Sequence, residues 1–171
     1  GETEVQRLGG LLRQRAVDHV ERTLATPVQI EAALESARLA QRVWREVAMA
    51  ERAAILSRFC EAFESHGDAI AEELSWQMGR PLRYAPSEVR GTLERARHMI
   101  AIAPAALADI DVGPKAGFHR FLRREPLGVV FTVAAWNYPY LIAVNSVVPA
   151  LMAGNVVVLK HSAQTPLCAE R

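Results

Sequence analysis

Two places in the sequence gather side chains able to do chemistry at the ends of strands. Trp136-Asn137 follows the apolar, β-branched run 128–134, and Lys160 closes a second such run, 155–160. Both runs have the composition of strands buried on both faces. An open parallel sheet binds ligands just beyond the carboxyl ends of its strands. An indole, an amide and an ammonium placed there are therefore the first candidates for a ligand site. Lys160 stands apart from an ordinary solvated lysine: Lys115 is the only other lysine in an arginine-rich chain, and four apolar residues lead directly to Lys160. Asn137 also has a structural reading, as the cap of the helix that Pro139 can begin. Trp136 is equally at home as core packing.

Other reactive side chains lack companions. Cys60 lies between Phe59 and Phe63 on an apolar stripe and suits a core thiol. Cys168 has no base near it in sequence, and the two cysteines fit neither a disulfide framework nor a zinc spacing. His66 and His161 are lone histidines without metal partners. Arg120, Arg123 and Arg124 can hold an anion, but a solvated or intersubunit strand explains them as well.

Composition sets the limits. The chain has 171 residues, 50% hydrophobic and 23% charged, with a formal net charge of +1. That suits a folded domain with a real core and excludes a disordered chain. A charge near zero gives no footprint for nucleic acid. No apolar run is long enough to cross a membrane, no secretory signal is evident, and reduced thiols point to the cytoplasm.

The elements that must position the candidates follow from local signals. Residues 1–15 form a polar lead-in, and 16–24 alternate weakly, as a short edge strand would. Thr26-Pro27 begins a helix running to about Arg45, with Ile30, Leu34, Ala37, Ala40 and Trp44 on one face. A second helix begins near Ala50, with Leu56, Phe59 and Phe63 as its stripe. Gly67 is expected to end it and Asp68 to cap a third helix, which carries Ile70, Leu74 and Met78 and stops at Gly79. A fourth starts near Ser87, carries Val89, Leu93, Ala96 and Ile100, and is expected to end at Pro104. Residues 105–117 are a linker and 118–125 a strand. Then come strand, turn, helix from Pro139 to Gly154, and strand: one βαβ unit. Thr165-Pro166 repeats the Thr-Pro helix start. Two strands alone leave both sheet edges open, so more sheet is expected after Arg171.

Pro126-Leu127-Gly128-Val129-Val130, Ala135-Trp136-Asn137-Tyr138-Pro139, the run 149–160 and Gln164-Thr165-Pro166 together resemble the amino-terminal part of the aldehyde dehydrogenase superfamily. Met78-Gly79-Arg80-Pro81 followed by Glu88 resembles it too. The fold implied is α/β: a helical amino-terminal half leading into the first βαβ of a Rossmann-like parallel sheet, truncated. Residues 1–171 would then be a partial cofactor-binding domain, with a helical part 26–104, a linker and bridging strand 105–125 and the βαβ unit 128–160, and with no catalytic domain.

The resemblance further implies oxidation of an aldehyde to a carboxylic acid, with NAD or NADP as acceptor, through a thioester on a cysteine. The asparagine matching Asn137 donates its amide to the oxyanion of the adduct. Lys160 bonds the adenosine ribose, Trp136 lines the nicotinamide side, and Ser162 is a cap or a ribose ligand. A small-molecule aldehyde is the implied partner, and a homo-oligomer the implied full-length assembly, without nucleic acid or membrane. There are departures: no G-x-G-x-x-G follows the first strand, Ala135 and His161 stand where prolines are usual, and Ala163 stands where an acidic residue would bond the ribose hydroxyls. The family's nucleophilic cysteine and general-base glutamate lie past the position of Arg171, so this stretch alone is expected to be inactive. The alternatives are a non-catalytic interaction module of the same fold, or a relative reducing acyl-phosphates or acyl-CoA.

Overall fold

A computed structural model describes residue 20 and residues 22–171. The lead-in and most of the expected edge strand at 16–24 lie outside the described residues. The helical half consists of α1 (Pro27–Trp44), α2 (Met49–Ser65), α3 (Gly67–Met78) and α4 (Ala85–Ala106), with a 3-10 turn at Leu82–Tyr84 before α4. A short antiparallel pair follows, β1 (Ile110–Asp111) with β2 (Phe121–Leu122). Then comes the βαβ unit: β3 (Val129–Val133), α5 (Pro139–Met152) and β4 (Val156–Lys160). A 3-10 turn at Pro166–Ala169 closes the chain.

The first helix begins as its sequence dictates. The Thr26 hydroxyl accepts from the Gln29 N–H, and the Gln29 side chain returns a bond to the Thr26 N–H, a reciprocal cap with Pro27 behind it. Its buried stripe is narrower than expected: Ala37 is buried, Leu34, Gln41 and Trp44 half-buried, and Ile30 and Ala40 exposed. In α2 the core face is Leu56, Cys60 and Phe63, while Phe59 is exposed. Gly67 does not end that helix. It opens α3, its φ is not positive, and an added Cβ would stand 3.4 Å from Val89 Cγ1. Gly67 therefore lies against α4 without a left-handed turn, a Cβ here would make an ordinary contact with Val89, and Asp68 lies within the first turn. Gly79 does end α3, in the left-handed conformation at φ 72°.

α4 starts at Ala85 and runs two residues past Pro104. A proline so close to the end removes one hydrogen bond and leaves little helix to disrupt, while the Leu107 N–H still reaches the Ala103 carbonyl at 2.9 Å. The linker holds a strand that its sequence did not announce, because Ile110–Asp111 has no alternation to show.

β3 and β4 run parallel, in register from Val129 opposite Val156 to Val133 opposite Lys160. α5 is the crossover, and Thr132 on β3 meets Ser146 on α5 hydroxyl to hydroxyl at 2.7 Å. Burial on both faces does not hold over the length of β3: Phe131 and Val133 are more than half exposed, while Val129 on the same face is partly buried. The core instead lies among α2, α3, α4 and α5, where Leu74, Ile70, Met152 and Val148 are fully buried.

At the other end of α5, Gly154 turns the chain into β4 at φ 83°. Trp44 Nε1–H donates to the Leu151 carbonyl at 3.0 Å, and Gln41 to the Gly154 carbonyl at 3.3 Å. A Cβ added at Gly154 would stand 2.7 Å from Nη1 of the buried Arg52.

Candidate functional site

The two strands of the βαβ unit finish side by side. The Ala134 N–H donates to the Lys160 carbonyl at 3.1 Å, so the turns after β3 and after β4 leave the same edge of the sheet. Trp136, Asn137, Tyr138 and Lys160 are all exposed there, and Ser162 is half-buried. The candidates separated by over twenty residues in sequence therefore share one edge.

The turn after β3 is fixed from outside the βαβ unit. Asn137 does not cap α5. The residue at that position is Tyr138, at φ −143° and ψ 67°, and it supplies no side-chain cap. The capping group comes from α4: Glu88 Oε1 accepts from the Tyr140 N–H at 3.0 Å, with the Leu141 N–H at 3.5 Å. Glu88 Oε2 pairs with Arg80 Nη1. Glu88 is 2% exposed. Its carboxylate thus sits in the first turn of α4 and at the N-terminus of α5, a favourable place for negative charge at both helices. Burial raises its pKa above the ordinary carboxyl value, while Arg80 and the two N–H groups oppose that shift.

Arg80 does more than neutralise Glu88. Its Nη2 donates to the main-chain carbonyl of Asn137 at 2.9 Å, and its guanidinium lies 4.4 Å from the centre of the Tyr138 ring. The left-handed turn at Gly79 delivers it from the end of α3. The Asn137 side-chain amide has no hydrogen-bond partner among the described residues. The turn is held by its main chain, and its amide is left free to donate.

The turn after β4 is held differently. The Lys160 ammonium makes no ion pair or hydrogen bond with a described residue. His161 is buried, and neither ring nitrogen has a partner among the described residues. Burial holds its pKa below the ordinary imidazole value. The Ser162 hydroxyl accepts from the Gln164 N–H at 3.2 Å and its carbonyl from the Thr165 N–H at 3.1 Å, a local turn and not a helix cap. Thr165 does not repeat the role of Thr26: it is fully buried, its hydroxyl caps nothing, and a 3-10 turn follows.

The remaining reactive groups are accounted for structurally. Cys168 is buried against Gln77, and burial pushes its thiol up to about 11, far from a reactive thiolate. Cys60 is buried in the helical core. His66 Nδ1 lies 2.8 Å from the Ala62 carbonyl. Arg123 pairs with Asp109 at 2.9 Å, Arg124 donates to the Ala108 carbonyl at 2.7 Å, and Arg120 to the Gly113 carbonyl at 3.1 Å. These three arginines staple the β1–β2 segment to itself.

Chemically, the shared edge offers an uncommitted amide donor, an uncommitted ammonium, a hydroxyl and an exposed indole. That set suits an oxygen-rich ligand with an aromatic ring. Arg80 and Glu88 carry no functional signal in sequence beyond their place in a family motif. Their partners lie some fifty residues downstream, and only the packing of α4 on α5 brings them together.

Comparison with known proteins gives the chain's family and fold. Residues 14–171 match the sequence model of the aldehyde dehydrogenase family. The chain is 36% identical over 155 residues to a fluoroacetaldehyde dehydrogenase of Streptantibioticus cattleyicolor, covering 88% of this chain and 30% of that protein. It is 34% identical over 152 residues to succinate-semialdehyde dehydrogenase [NADP(+)] 1 of Mycobacterium bovis, covering 86% and 33%. Among solved structures it is similar to an NAD-dependent benzaldehyde dehydrogenase from Corynebacterium glutamicum, with a TM-score of 0.80 and 30% identity over 88% of this chain and 33% of that one. The chain thus spans about a third of the length of the relatives it matches. With the βαβ unit and the helical half both matched, the chain belongs to the aldehyde dehydrogenase family.

Proposed function

We propose that residues 1–171 form part of the cofactor-binding domain of an enzyme that oxidises an aldehyde to a carboxylic acid with NAD or NADP. The observation that carries this is the Asn137 amide. It is exposed at the end of β3, without a partner among the described residues, on a turn whose main chain is gripped by Arg80. A fixed amide donor at a site of developing negative charge is worth roughly a hundred- to a thousandfold in rate. In this role Asn137 stabilises the oxyanion formed when a cysteine thiolate, supplied from outside residues 1–171, adds to the aldehyde.

The nicotinamide cofactor, when bound, accepts the hydride. Lys160 and Ser162 are the residues that would hold its ribose oxygens or a 2′-phosphate, and the main chain around Trp136 would line the ring. An ammonium and a hydroxyl without competing side-chain partners fit such a group. Ala163 provides no carboxylate to repel a 2′-phosphate, so both cofactors remain within the proposal. The relatives include one whose name specifies NADP and one whose title specifies NAD. The working assembly is a homo-oligomer in the cytoplasm; among the described residues no helix is long and apolar enough to cross a membrane.

The test pairs two polypeptides. The full-length protein should reduce NAD or NADP when given an aldehyde, and replacing its nucleophilic cysteine should abolish turnover. The 171-residue chain by itself should produce no aldehyde-dependent NADH or NADPH. A full-length protein inert toward every aldehyde class would overturn the proposed activity, and turnover by the short chain would overturn the assignment of the nucleophile to another segment.

A further inference from the structure

Main-chain bonding in the turn after β3 is sparse. Ala134 is tied to Lys160, and the Ile142 N–H reaches the Tyr138 carbonyl at 2.8 Å. Between them, the Asn137 carbonyl has one hydrogen-bond partner among the described residues, and that partner is Arg80. The same guanidinium is anchored by Glu88, which also fixes the first N–H groups of α5, and it lies against the Tyr138 ring. One planar cation therefore ties together the end of α3, the start of α4, the start of α5 and the main chain of Asn137.

We propose that Arg80, braced by Glu88, is a positioning residue for catalysis: by holding the carbonyl of Asn137 it sets where that residue's side-chain amide points. This rests on the oxyanion role proposed above. An oxyanion donor acts only within about 2.7–3.1 Å of the forming charge. A misplacement of about 1 Å can cost up to about a hundredfold in rate. Lysine at this position keeps a positive charge for Glu88, but its ammonium is a point charge. It cannot bridge a carboxylate and a carbonyl with two forked N–H groups while lying flat on a tyrosine ring.

The test is a double-mutant cycle in the full-length enzyme. Arg80→Lys should lower kcat by about ten- to a hundredfold, with KM for cofactor and aldehyde within about threefold of the parent. In an Asn137→Ala background there is no amide left to misplace, so adding Arg80→Lys should lower kcat by less than about twofold. A merely structural role would move both backgrounds equally: the same fall in kcat with and without Asn137 overturns the positioning role and leaves the oxyanion role standing. An unchanged kcat in Asn137→Ala alone overturns the oxyanion role and this proposal with it. Should Arg80→Lys fail to fold, Glu88→Gln carries the same cycle, because glutamine still accepts from the Tyr140 N–H but no longer braces the guanidinium by charge.

Discussion

The two strand ends of one small sheet are built on opposite plans. After β3, a buried ion pair from the helical half grips the main chain, and the functional side chain stands free. After β4, no described side chain from another element bonds the main chain between His161 and Thr165, and the first such bond comes at Leu167, whose N–H donates to Gln77 on α3 at 3.0 Å; His161 is buried without polar partners and Lys160 projects freely. The difference matches the tasks proposed for the two ends. An oxyanion donor acts at a distance fixed to a few tenths of an ångström, so its frame must be rigid. A long ammonium side chain finds a ribose or phosphate oxygen by bending, so its frame can be lighter.

Stability should separate the two ends most. Glu88→Ala leaves the Arg80 guanidinium unpaired and the start of α5 uncapped. Removing one partner of a buried pair costs about 3–5 kcal/mol, a loss that denaturant unfolding of the full-length protein should reveal. Lys160→Ala, at an exposed position, should change the same measurement by less than about 0.5 kcal/mol. A loss of stability at Lys160 matching that at Glu88 would erase the distinction.

Affinity should separate them in the reverse direction. Losing a charge-assisted bond of about 1.5–3 kcal/mol, Lys160→Ala should weaken cofactor binding about ten- to a hundredfold in a fluorescence titration. Its kcat at saturating cofactor should hold. The turn that leads into β4 supplies an internal control. Gly154→Ala forces φ 83° on a residue with a Cβ and pushes against Arg52 Nη1, and it should cost about 1–3 kcal/mol without altering cofactor affinity in the folded enzyme.

The smallest effect is expected at His161. Its folded pKa lies below the unfolded value of about 6.5, so on acidification the unfolded chain takes up a proton before the folded chain does. The stability due to neutral, buried His161 is therefore complete above that value and is lost as the pH falls below it, until the folded imidazole titrates. His161→Leu should show a smaller drop in Tm between about pH 7 and about pH 5.5 than the parent. An equal drop would mean that other groups carry the acid sensitivity.

Signals in the sequence were legible where their causes are local. Thr26-Pro27 with Gln29 makes a cap from four adjacent residues, and Gly79 and Gly154 stop helices through their own backbone angles. The strand–turn–helix–strand order of 128–160 was legible for the same reason. What escaped depends on packing. Thr165-Pro166 has the local form of a helix start, yet Thr165 is buried in a 3-10 turn. Gly67 passes for a stop signal, but it opens α3 in a helical conformation, and its backbone makes no left-handed turn. Phe59 lies on the expected stripe but is exposed, whereas Cys60, read as a core thiol, is buried. At the candidate site, Asn137 and Lys160 are candidates by position in the sequence, while Arg80 and Glu88 enter only through a family motif, because an arginine after one helix and a glutamate opening the next come to share partners only when α5 begins beside them.

The central claim is that the turn after β3 presents Asn137 as a donor and does not need its side chain for folding. Substituting Asn137→Ala in the full-length enzyme and measuring kcat alongside the unfolding midpoint tests this directly. The expected result is a fall in kcat of about a hundred- to a thousandfold with Tm and cofactor affinity unchanged. An unchanged kcat, or a fall in kcat accompanied by an equivalent loss of stability, would contradict it.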